Sequence, residues 1–376
     1  MIKITDKKDC CGCSACTQRC PKHCISMVED EEGFLYPKVD ETKCVNCGLC
    51  EKVCPVLNQG ESHEPLAVYA AKNPDDKVRM ASSSGGIFTM LAERTVERGG
   101  VVFGACWNDD WEVVHDYTET KDGISKFRGS KYVQSRIGDC FKKAEAFLKS
   151  GREVLFSGTP CQIAGLTRFL RKEYDNLLKV ECVCHGVPSP GLWKKYLLEQ
   201  TNIDGKTITD IKCINFRDKG NGWKKYNVVI EYNDNQRNIS FHGENYWTRS
   251  FITNLNLRVS CFFCPSKCYE SCADISLGDF WGIDKFFPEF DDDKGSTMIL
   301  CHTDKGKEYT VDYKNNTLEF AKVVKFNKSL VCSTKENPKR VAFFRDSSKS
   351  FIKSVCKLTK EPLMLRLKLA ISKLLR

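Results

Sequence analysis

The sequence contains no apolar run long enough to cross a bilayer, and residues 1–9 hold no apolar segment of the kind found in secretory signals. We therefore expect a cytoplasmic protein without a transmembrane segment. Low-complexity segments are also absent, and 41% hydrophobic with 28% charged residues is ordinary for a soluble chain with a sizeable core. With 376 residues, the chain has room for two or three domains.

A strong excess of charge is missing as well. The formal net charge is +9, the basic residues are spread along the chain, and no nucleic-acid-binding motif accompanies them. We therefore exclude nucleic acid as a partner.

Cysteine, in contrast, is abundant, with 23 residues. Thiols stay reduced in the cytoplasm, so this number of cysteines indicates metal sites rather than disulfides. Two runs near the N-terminus have the spacing C-x2-C-x2-C-x3-C-P, in which three thiolates bind one cubane iron-sulfur cluster and the fourth binds its neighbour. We therefore predict two 4Fe-4S clusters that exchange their fourth ligands. Cluster 1 is assigned to Cys10, Cys13, Cys16 and Cys54, and cluster 2 to Cys44, Cys47, Cys50 and Cys20.

A zinc site and a disulfide staple are the alternatives for these cysteines. Zinc needs four ligands in two pairs, whereas each run supplies four cysteines and ends in its own proline, Pro21 or Pro55. This difference favours iron-sulfur clusters. Cys11 and Cys24 fall outside the spacing and are predicted to be spare, and a hairpin is predicted at 25–39 as a cover for the clusters.

Beyond a polar stretch at 58–65, which marks the best domain boundary, strand and helix signals alternate. We predict a strand at 67–71, an amphipathic helix at 87–98 and a strand at 101–106. This alternation is typical of an α/β domain. The predicted fold class is therefore α+β and α/β combined, a bacterial-type ferredoxin module followed by an α/β domain.

Two stretches of this domain have the composition of phosphate-binding turns. Residues 82–86 (SSSGG) lead into a helix whose free N–H groups and dipole favour an anion. Residues 128–132 (RGSKY) place two cations and a hydroxyl around a glycine. The alternatives are an ordinary serine cap for the first stretch and a solvated turn for the second.

Further cysteines lie at the ends of predicted strands. Cys161 follows a strand-to-helix turn, where a helix N-terminus stabilises a thiolate, so it is a candidate nucleophile or iron ligand, with an inert buried cysteine as the alternative. Cys184 and His185 follow a predicted strand at 177–183, at the edge where open α/β sheets place their sites. His185 is the candidate catalytic residue, for proton transfer, although a lone histidine is more often structural.

The densest downstream group consists of Cys261, Cys264, Cys268 and Cys272. It predicts a third metal centre, with zinc as the main alternative because the spacing is not that of a ferredoxin. Residues 361–376 form a candidate basic amphipathic helix. Docking of this helix on its own domain is the preferred interpretation, over contact with a membrane surface or a partner.

The motifs downstream of the ferredoxin-like runs occur in a specific order. They are SSSGG (82–86), GGVVFGA (99–105), RGSKYVQS (128–135), GTPCQIAGL (158–166), CHGVPSP (184–190), and Cys261-x2-Cys264 with the run at 274–282. Together they resemble the beta subunit of coenzyme F420 hydrogenase and dehydrogenase over residues 66–290. The resemblance implies bound FAD and a 4Fe-4S cluster beside it, and some members of that family carry a fused two-cluster ferredoxin.

The resemblance also implies the residues of two sites. The implied FAD site consists of Ser83, Ser84, Gly85, Gly86, Arg128, Ser130, Lys131 and Tyr132. For the third cluster the family pattern implies Cys161, Cys184, Cys261 and Cys264 as ligands, whereas sequence proximity favours Cys268 and Cys272 in place of the first two. We favour the first set, because related sequences keep Cys261 and Cys264 without the later pair.

The predicted function is that of a flavin-dependent iron-sulfur oxidoreductase. It would pass electrons between a one-electron carrier, such as a ferredoxin, and a two-electron acceptor or donor through FAD. A non-catalytic electron-transfer subunit of a larger hydrogenase, dehydrogenase or reductase complex is the alternative. Thiolate ligation of two or three clusters would lower the net charge to about +5 or +3, a weakly basic surface that suits an acidic carrier but is more simply a solvated one.

The sequence predicts a ferredoxin-like domain, a flavin domain in two parts and a C-terminal tail. Residues 1–60 form the ferredoxin-like domain, 61–150 and 151–330 form the two parts of the flavin domain, and 331–376 form a basic helical tail.

Overall fold

The computed structural model describes residues 1–267 and 271–359. Cys268 and the predicted helix at 361–376 lie outside this described part. Within it, no helix is both long and apolar enough to span a bilayer. The N-terminal module contains α1 (Ala15–Arg19), β1 (Ile25–Glu29), β2 (Leu35–Val39) and α2 (Leu49–Lys52).

The two strands of this module form the predicted hairpin. β1 and β2 are antiparallel, with Ile25 opposite Val39. The acidic turn between them folds back because the Asp30 carboxylate accepts hydrogen bonds from the backbone N–H groups of Glu32 and Phe34. Phe34 is fully buried, so the turn is anchored in the protein.

Helices and strands alternate beyond the module, as predicted. The first half contains β3 (Ala67–Ala71), α3 (Asp76–Met80), α4 (Ile87–Glu97), β4 (Val101–Trp107), β5 (Val113–Thr118), α5 (Cys140–Lys149), β6 (Val154–Gly158), α6 (Pro160–Leu170) and β7 (Leu177–Cys182). The second half contains α7 (Pro190–Ile203), β8 (Ile211–Asp218), β9 (Asn227–Tyr232), β10 (Arg237–Phe241), α8 (Tyr246–Ile252), β11 (Ile275–Asp279), α9 (Ile283–Phe286), β12 (Thr297–Cys301), α10 (Asp304–Tyr309), α11 (Phe320–Val324), α12 (Arg340–Ser347) and α13 (Phe351–Leu358). The elements predicted at 67–71, 87–98 and 101–106 are confirmed to within one residue.

The main sheet has the strand order β3-β12-β11-β7-β6-β4-β5. β4, β6, β7 and β11 are parallel neighbours, and antiparallel β12, β3 and β5 flank them. Residues 101–103 and 154–156 are completely buried, as expected for parallel strands covered on both faces. The predicted α/β fold is confirmed, and the predicted division at residue 150 falls inside this sheet, between α5 and β6.

Different layers cover the two faces of the sheet. On one face, α4 packs Ile87 and Leu91 against the buried strands. On the other face, α5 and α6 share a hydrophobic core with Cys13 and Val53 of the N-terminal module. The module is therefore docked directly on the α5 and α6 layer.

A smaller sheet, in the order β10-β9-β8, packs with α7, α8, α12 and α13. Its core is aromatic, with Trp193 and Trp247 in edge-to-face contact at 4.9 Å between ring centroids and Phe351 beside them. The sequence predicts a hairpin of residues 210–216 and 226–232, and β8 and β9 form it. The sequence does not predict β10, because this edge strand has no buried residue and therefore no buried apolar face to detect.

Candidate iron-sulfur and cofactor site

The predicted ligands of cluster 2 line one cavity of about 350 Å³ in the N-terminal module. Cys20 and Cys50 are buried, whereas Cys47 is exposed. Cys24, which the ferredoxin spacing leaves unassigned, also lines this cavity, and its Sγ lies 3.3 Å from that of Cys20. The fold thus brings the predicted sulfurs to one place and adds Cys24 to them.

The predicted ligands of cluster 1 share a second neighbourhood. Burial, with smaller contributions from the nearby Cys10 and Cys54, raises the pKa of Cys16 to about 12. Burial also raises the pKa of Cys54, with Cys10 and Cys50 adding to the shift. Cys54 therefore lies between the two halves of the module, as an exchange of fourth ligands requires. The assignment of each ligand remains a prediction.

A third group of cysteines converges at the C-terminal edge of the main sheet. Cys161 lies in the first turn of α6, because the helix begins at Pro160 and is capped by Thr159. Burial, with smaller contributions from the neighbouring Cys161 and Cys264, raises the pKa of Cys261 to about 12. Burial also raises the pKa of Cys184, with Cys261 and Cys161 among the groups that add to the shift.

These four cysteines come from three separate parts of the chain. The competing ligand Cys272 instead lines a depression with Gly60 and Arg168, on the side of α6 that faces the 58–65 stretch. In residues 1–267 and 271–359, no three His, Cys, Asp or Glu side chains form a group that could hold a single metal ion. The sequence analysis overlooked Cys182, which lies within electrostatic range of Cys184 and which the Cys-x-Cys spacing could have indicated.

The surroundings of Arg258 indicate whether anionic iron-sulfur clusters fit these cysteines. It is completely buried and donates hydrogen bonds to the carbonyl oxygens of Cys10, at 2.8 Å, and Leu35, at 3.0 Å. Within the described ranges, no carboxylate lies within ion-pair distance of it. Burial opposes its charge, but Cys10, Tyr36, Cys11 and Cys261 raise the Arg258 pKa overall.

A buried cation without a carboxylate needs another source of negative charge. A 4Fe-4S cluster with four thiolate ligands carries a charge of about −2. Arg258 lies between Cys10 of cluster 1 and Cys261 of the third group. The residues present therefore fit an anionic cluster on each side of this guanidinium.

The two predicted phosphate-binding stretches meet in the structure. The backbone N–H of Ser130 donates to the Ser83 hydroxyl at 2.5 Å. Gly85 donates its N–H to the Thr297 hydroxyl, and a Cβ at this position would lie only 2.7 Å from the Ala71 oxygen. Gly86 begins α4 with φ of +82°, so neither the ordinary serine cap nor any side-chain cap is present at this helix.

Buried cations surround this turn. Lys219 is 4% exposed and donates to the carbonyl oxygens of Arg79, Ser84 and Lys294 at 2.7–2.8 Å. Burial and, to a smaller extent, Arg217 lower its pKa to about 7, against the opposing effects of Asp279 and Asp292. Within the described part of the chain, no carboxylate lies within ion-pair distance of Lys219. Its three N–H donors are used by the carbonyl oxygens, so it favours a nearby phosphate through its positive charge and not through a hydrogen bond.

Arg217 adds a second cation and a link to the other predicted stretch. It pairs with Asp279 at 2.6 Å and donates to the Tyr132 hydroxyl at 3.2 Å, while its buried Nε has no partner among the residues described. Trp281 stacks on Trp223 at 4.8 Å and remains 37% exposed. Of these residues, only Tyr132 was predicted as part of the site. Asp279 and Trp281 lie in the 274–282 run of the family resemblance, whereas Arg217 and Trp223 come from β8 and the loop that follows it.

His185 is held by both ring nitrogens. Nε2 lies 2.7 Å from the Asn254 Oδ1, and Nδ1 lies 3.2 Å from the Thr334 hydroxyl. Its ring contacts Phe251, which also stacks on Tyr132 at 4.8 Å. The ring of Phe251 thus lies between His185, the neighbour of Cys184, and Tyr132 of the 128–132 stretch, while a catalytic role for His185 remains a prediction.

A ferredoxin-type module docked on an α/β sheet, with cysteines gathered at its C-terminal edge, defines a class of iron-sulfur redox proteins. Family models match three regions: a 4Fe-4S dicluster domain at 9–58, and the coenzyme F420 hydrogenase/dehydrogenase beta subunit, N-terminal part at 68–141 and C-terminal part at 151–326. The chain belongs to the family of coenzyme F420 hydrogenase/dehydrogenase beta subunits and carries an N-terminal dicluster domain. The predicted family is confirmed.

Individual relatives agree with this assignment. One subunit of F(420)H(2) dehydrogenase from Methanosarcina mazei is 26% identical over 80% of this chain and 81% of its own length. Coenzyme F420-dependent sulfite reductase of Methanocaldococcus jannaschii is 26% identical over 50% of this chain but only 29% of its own length. A structure of the F420-reducing [NiFe] hydrogenase complex from Methanosarcina barkeri matches with 16% identity and a TM-score of 0.47, covering 79% of this chain and 91% of that one.

Proposed function

We propose that the protein is an iron-sulfur flavoprotein oxidoreductase that moves electrons between a one-electron carrier and FAD. When bound, FAD supplies the conversion between one-electron and two-electron chemistry. The observation that supports this proposal best is the convergence of Cys161, Cys184, Cys261 and Cys264 between the N-terminal module and the serine-glycine turn. These cysteines would hold a third 4Fe-4S cluster.

The entry to this path lies at cluster 2. Cys47 is exposed, so an external carrier can approach this cluster closely. Cluster 1 lies deeper, where Gly165 of α6 faces Cys13 and the thiols of Cys13 and Cys161 act on the pKa of the Cys11 thiol. The spare residue Cys11 therefore links cluster 1 to a ligand of the third cluster.

The exit lies at the serine-glycine turn. The Ser83–Ser130 contact would bind the FAD pyrophosphate, with the Lys219 charge behind the turn attracting it, while Arg217 and Tyr132 would hold the flavin side of the site. Phe251 contacts both Tyr132 and His185, the neighbour of Cys184. These contacts support a route from the third cysteine group to the proposed flavin site.

The proposal is tested on anaerobically reconstituted protein by iron, sulfide and FAD analysis. Cys161→Ser should lose one cluster's iron and keep the dicluster spectrum, whereas Cys213→Ser, at an exposed site on β8, should keep all iron. Iron lost only from Cys268→Ser would overturn the ligand set. Iron and sulfide without flavin absorbance or FAD affinity would overturn the proposed function.

The alternative, a non-catalytic electron-transfer subunit, is favoured by the name of one relative, a dehydrogenase subunit that this chain matches over 81% of its length. Turnover with reduced ferredoxin and a set of acceptors separates the two functions. Coenzyme F420 belongs in that set because both curated relatives above carry it in their names. Activity of the isolated chain supports the enzyme, and activity only with a co-purifying protein supports the subunit.

A further inference from the structure

A polar cavity of about 440 Å³ lies directly beside Cys184. Its functional lining consists of His63, Glu181, Lys267, Ser276 and His302, and we refer to it as the Glu181 cavity. None of these residues belongs to the proposed cluster or flavin sites. The cavity opens towards the 58–65 stretch, where His63 is exposed to solvent.

A chain of short hydrogen bonds crosses this cavity. The Ser276 hydroxyl lies 2.6 Å from Oε1 of Glu181 and 2.7 Å from Nε2 of His302. β7 and β11 are parallel with these two residues, Glu181 and Ser276, in register, so their side chains lie side by side on one face of the sheet. The imidazole of His302 in turn makes edge-to-face contact with that of His63, at 5.7 Å between centroids.

The two end residues of this series of hydrogen bonds, Glu181 and His302, each have a polar atom without a hydrogen-bond partner among the residues described. Glu181 is 7% exposed, and its second oxygen, Oε2, makes no hydrogen bond of normal geometry within residues 1–267 and 271–359, although Ser271 lies near enough to lower the carboxyl pKa. Nδ1 of His302 is likewise unpartnered within these ranges. A buried carboxylate oxygen without a partner is costly. The cavity is open to solvent and has room for water, which can satisfy such atoms and connect them to solvent.

We propose that Glu181, Ser276 and His302 form a proton path from solvent at His63 to the edge of the third cluster. The path delivers one proton to Glu181 for each electron that the cluster accepts. This inference rests on the proposed function, because it requires a third cluster at Cys184.

Each step of the path balances. His302 Nδ1 takes a proton from water, Nε2 passes its proton to the Ser276 oxygen, and the Ser276 hydroxyl passes its own proton to Glu181 Oε1. The electron comes from clusters 1 and 2 and the proton from solvent, so the charge of the buried region is unchanged. Without the proton, the added electron would lie unscreened in a medium of low dielectric constant.

The titration properties of the path agree with this role. Burial raises the pKa of Glu181 to about 7, against the opposing effects of Ser276, Ser271, Lys267 and His63. Burial lowers the pKa of His302 to about 4, so the imidazole stays neutral and passes protons on without storing them. The other ionisable groups that face Glu181 are Cys182 and Cys264.

Redox titration of the third cluster, followed by electron paramagnetic resonance on the complete holoprotein, tests the path. Near pH 7 the reduction potential should fall as pH rises, with a limiting slope of about 59 mV per pH unit for one proton per electron. Glu181→Gln keeps the shape and removes the titrating group, so the slope should vanish. Glu173→Gln, at an exposed carboxylate before β7, is the matched control and should keep the slope.

A second variant tests the path in case Glu181→Gln does not fold. Ser276→Ala leaves the carboxyl in place and breaks the path, so it should slow re-equilibration of the potential after a pH jump by tenfold or more. A third-cluster signal whose potential does not depend on pH, or a slope that survives in Glu181→Gln, overturns the proton path alone. Absence of any third-cluster signal in the wild type overturns the proposed function, and the path with it.

Discussion

Single residues decide how closely the N-terminal module approaches the sheet domain. Gly165 lies in the middle of α6, where alanine would ordinarily be the better helix former. A Cβ at this position would lie 2.9 Å from the Cβ of Cys13 and 3.0 Å from its Sγ. The absence of a side chain therefore lets a predicted ligand of cluster 1 contact the helix that carries Cys161.

Gly165→Ala should weaken this contact. Helix propensity alone predicts a gain of about 1 kcal/mol, whereas overpacking against Cys13 is expected to cost about 1–3 kcal/mol. We expect lower iron content and a lower urea midpoint. Gly60→Ala is the control, since its Cβ would meet nothing nearer than 3.9 Å, and equal behaviour of the two variants would contradict the prediction.

Arg258 acts at the same scale through its charge. Removing a buried cation between two anionic clusters makes both harder to reduce. Arg258→Met should therefore lower the potentials of cluster 1 and the third cluster, on the order of 100 mV each, and leave cluster 2 less affected. Potentiometry of the holoprotein measures the shifts, and Arg237→Met, on exposed β10, should show none. Unchanged potentials in the Arg258 variant would contradict an electrostatic effect of this guanidinium on the clusters.

At the scale of elements, the proposed flavin site depends on the 82–86 turn, which is positioned by residues of other elements. Lys219, at the end of β8, fastens the turn through the Ser84 carbonyl, and Ser84 donates to the carbonyl oxygen of Ser296 at 2.6 Å. The turn is therefore positioned by β8 and by the strand ends of the main sheet. The residues at 82–86 do not by themselves predict which elements position the turn.

Lys219→Met should lower FAD affinity at least tenfold. In the wild type, the Lys219 ammonium, with its pKa near 7, is charged below that pH and loses its charge above it, so FAD affinity should fall as pH rises through about 7. The variant should show no such dependence. Isothermal titration across this pH range measures both effects, with exposed Lys212→Met as the control. A retained pH dependence in the Lys219 variant would assign it to another group.

For the whole molecule, the N-terminal module is an integral layer of the fold. Arg340 of α12 pairs with Glu32 of the hairpin turn at 2.9 Å, and the N–H of Gly191 donates to the carbonyl oxygen of Gly33. The backbones of these two glycines approach so closely that a Cβ on Gly33 would lie 2.6 Å from the Cα of Gly191. The C-terminal helices thus hold the module against the sheet domain.

Cleavage within the exposed stretch at 58–65 should therefore leave the two fragments associated. Size-exclusion chromatography of the nicked protein should give a single peak containing both fragments. The double variant Arg258→Met and Arg340→Met removes two buried attachments, and its nicked form should separate. Dissociation of the nicked wild type would show that the covalent link holds the module.

The amino-acid sequence by itself determined what depends on neighbouring residues. The two ferredoxin runs, the hairpin between them and the elements at 67–71, 87–98 and 101–106 follow from local spacing and periodicity, and the family follows from the order of its motifs. The tertiary structure decided which distant residues meet. Cys161, Cys184 and Cys261 come from three separate parts of the chain, and Arg258, Lys219 and Glu181 owe their roles to burial beside groups far away in sequence. Burial and long-range pairing arise only when the sheet closes, so no local pattern records them.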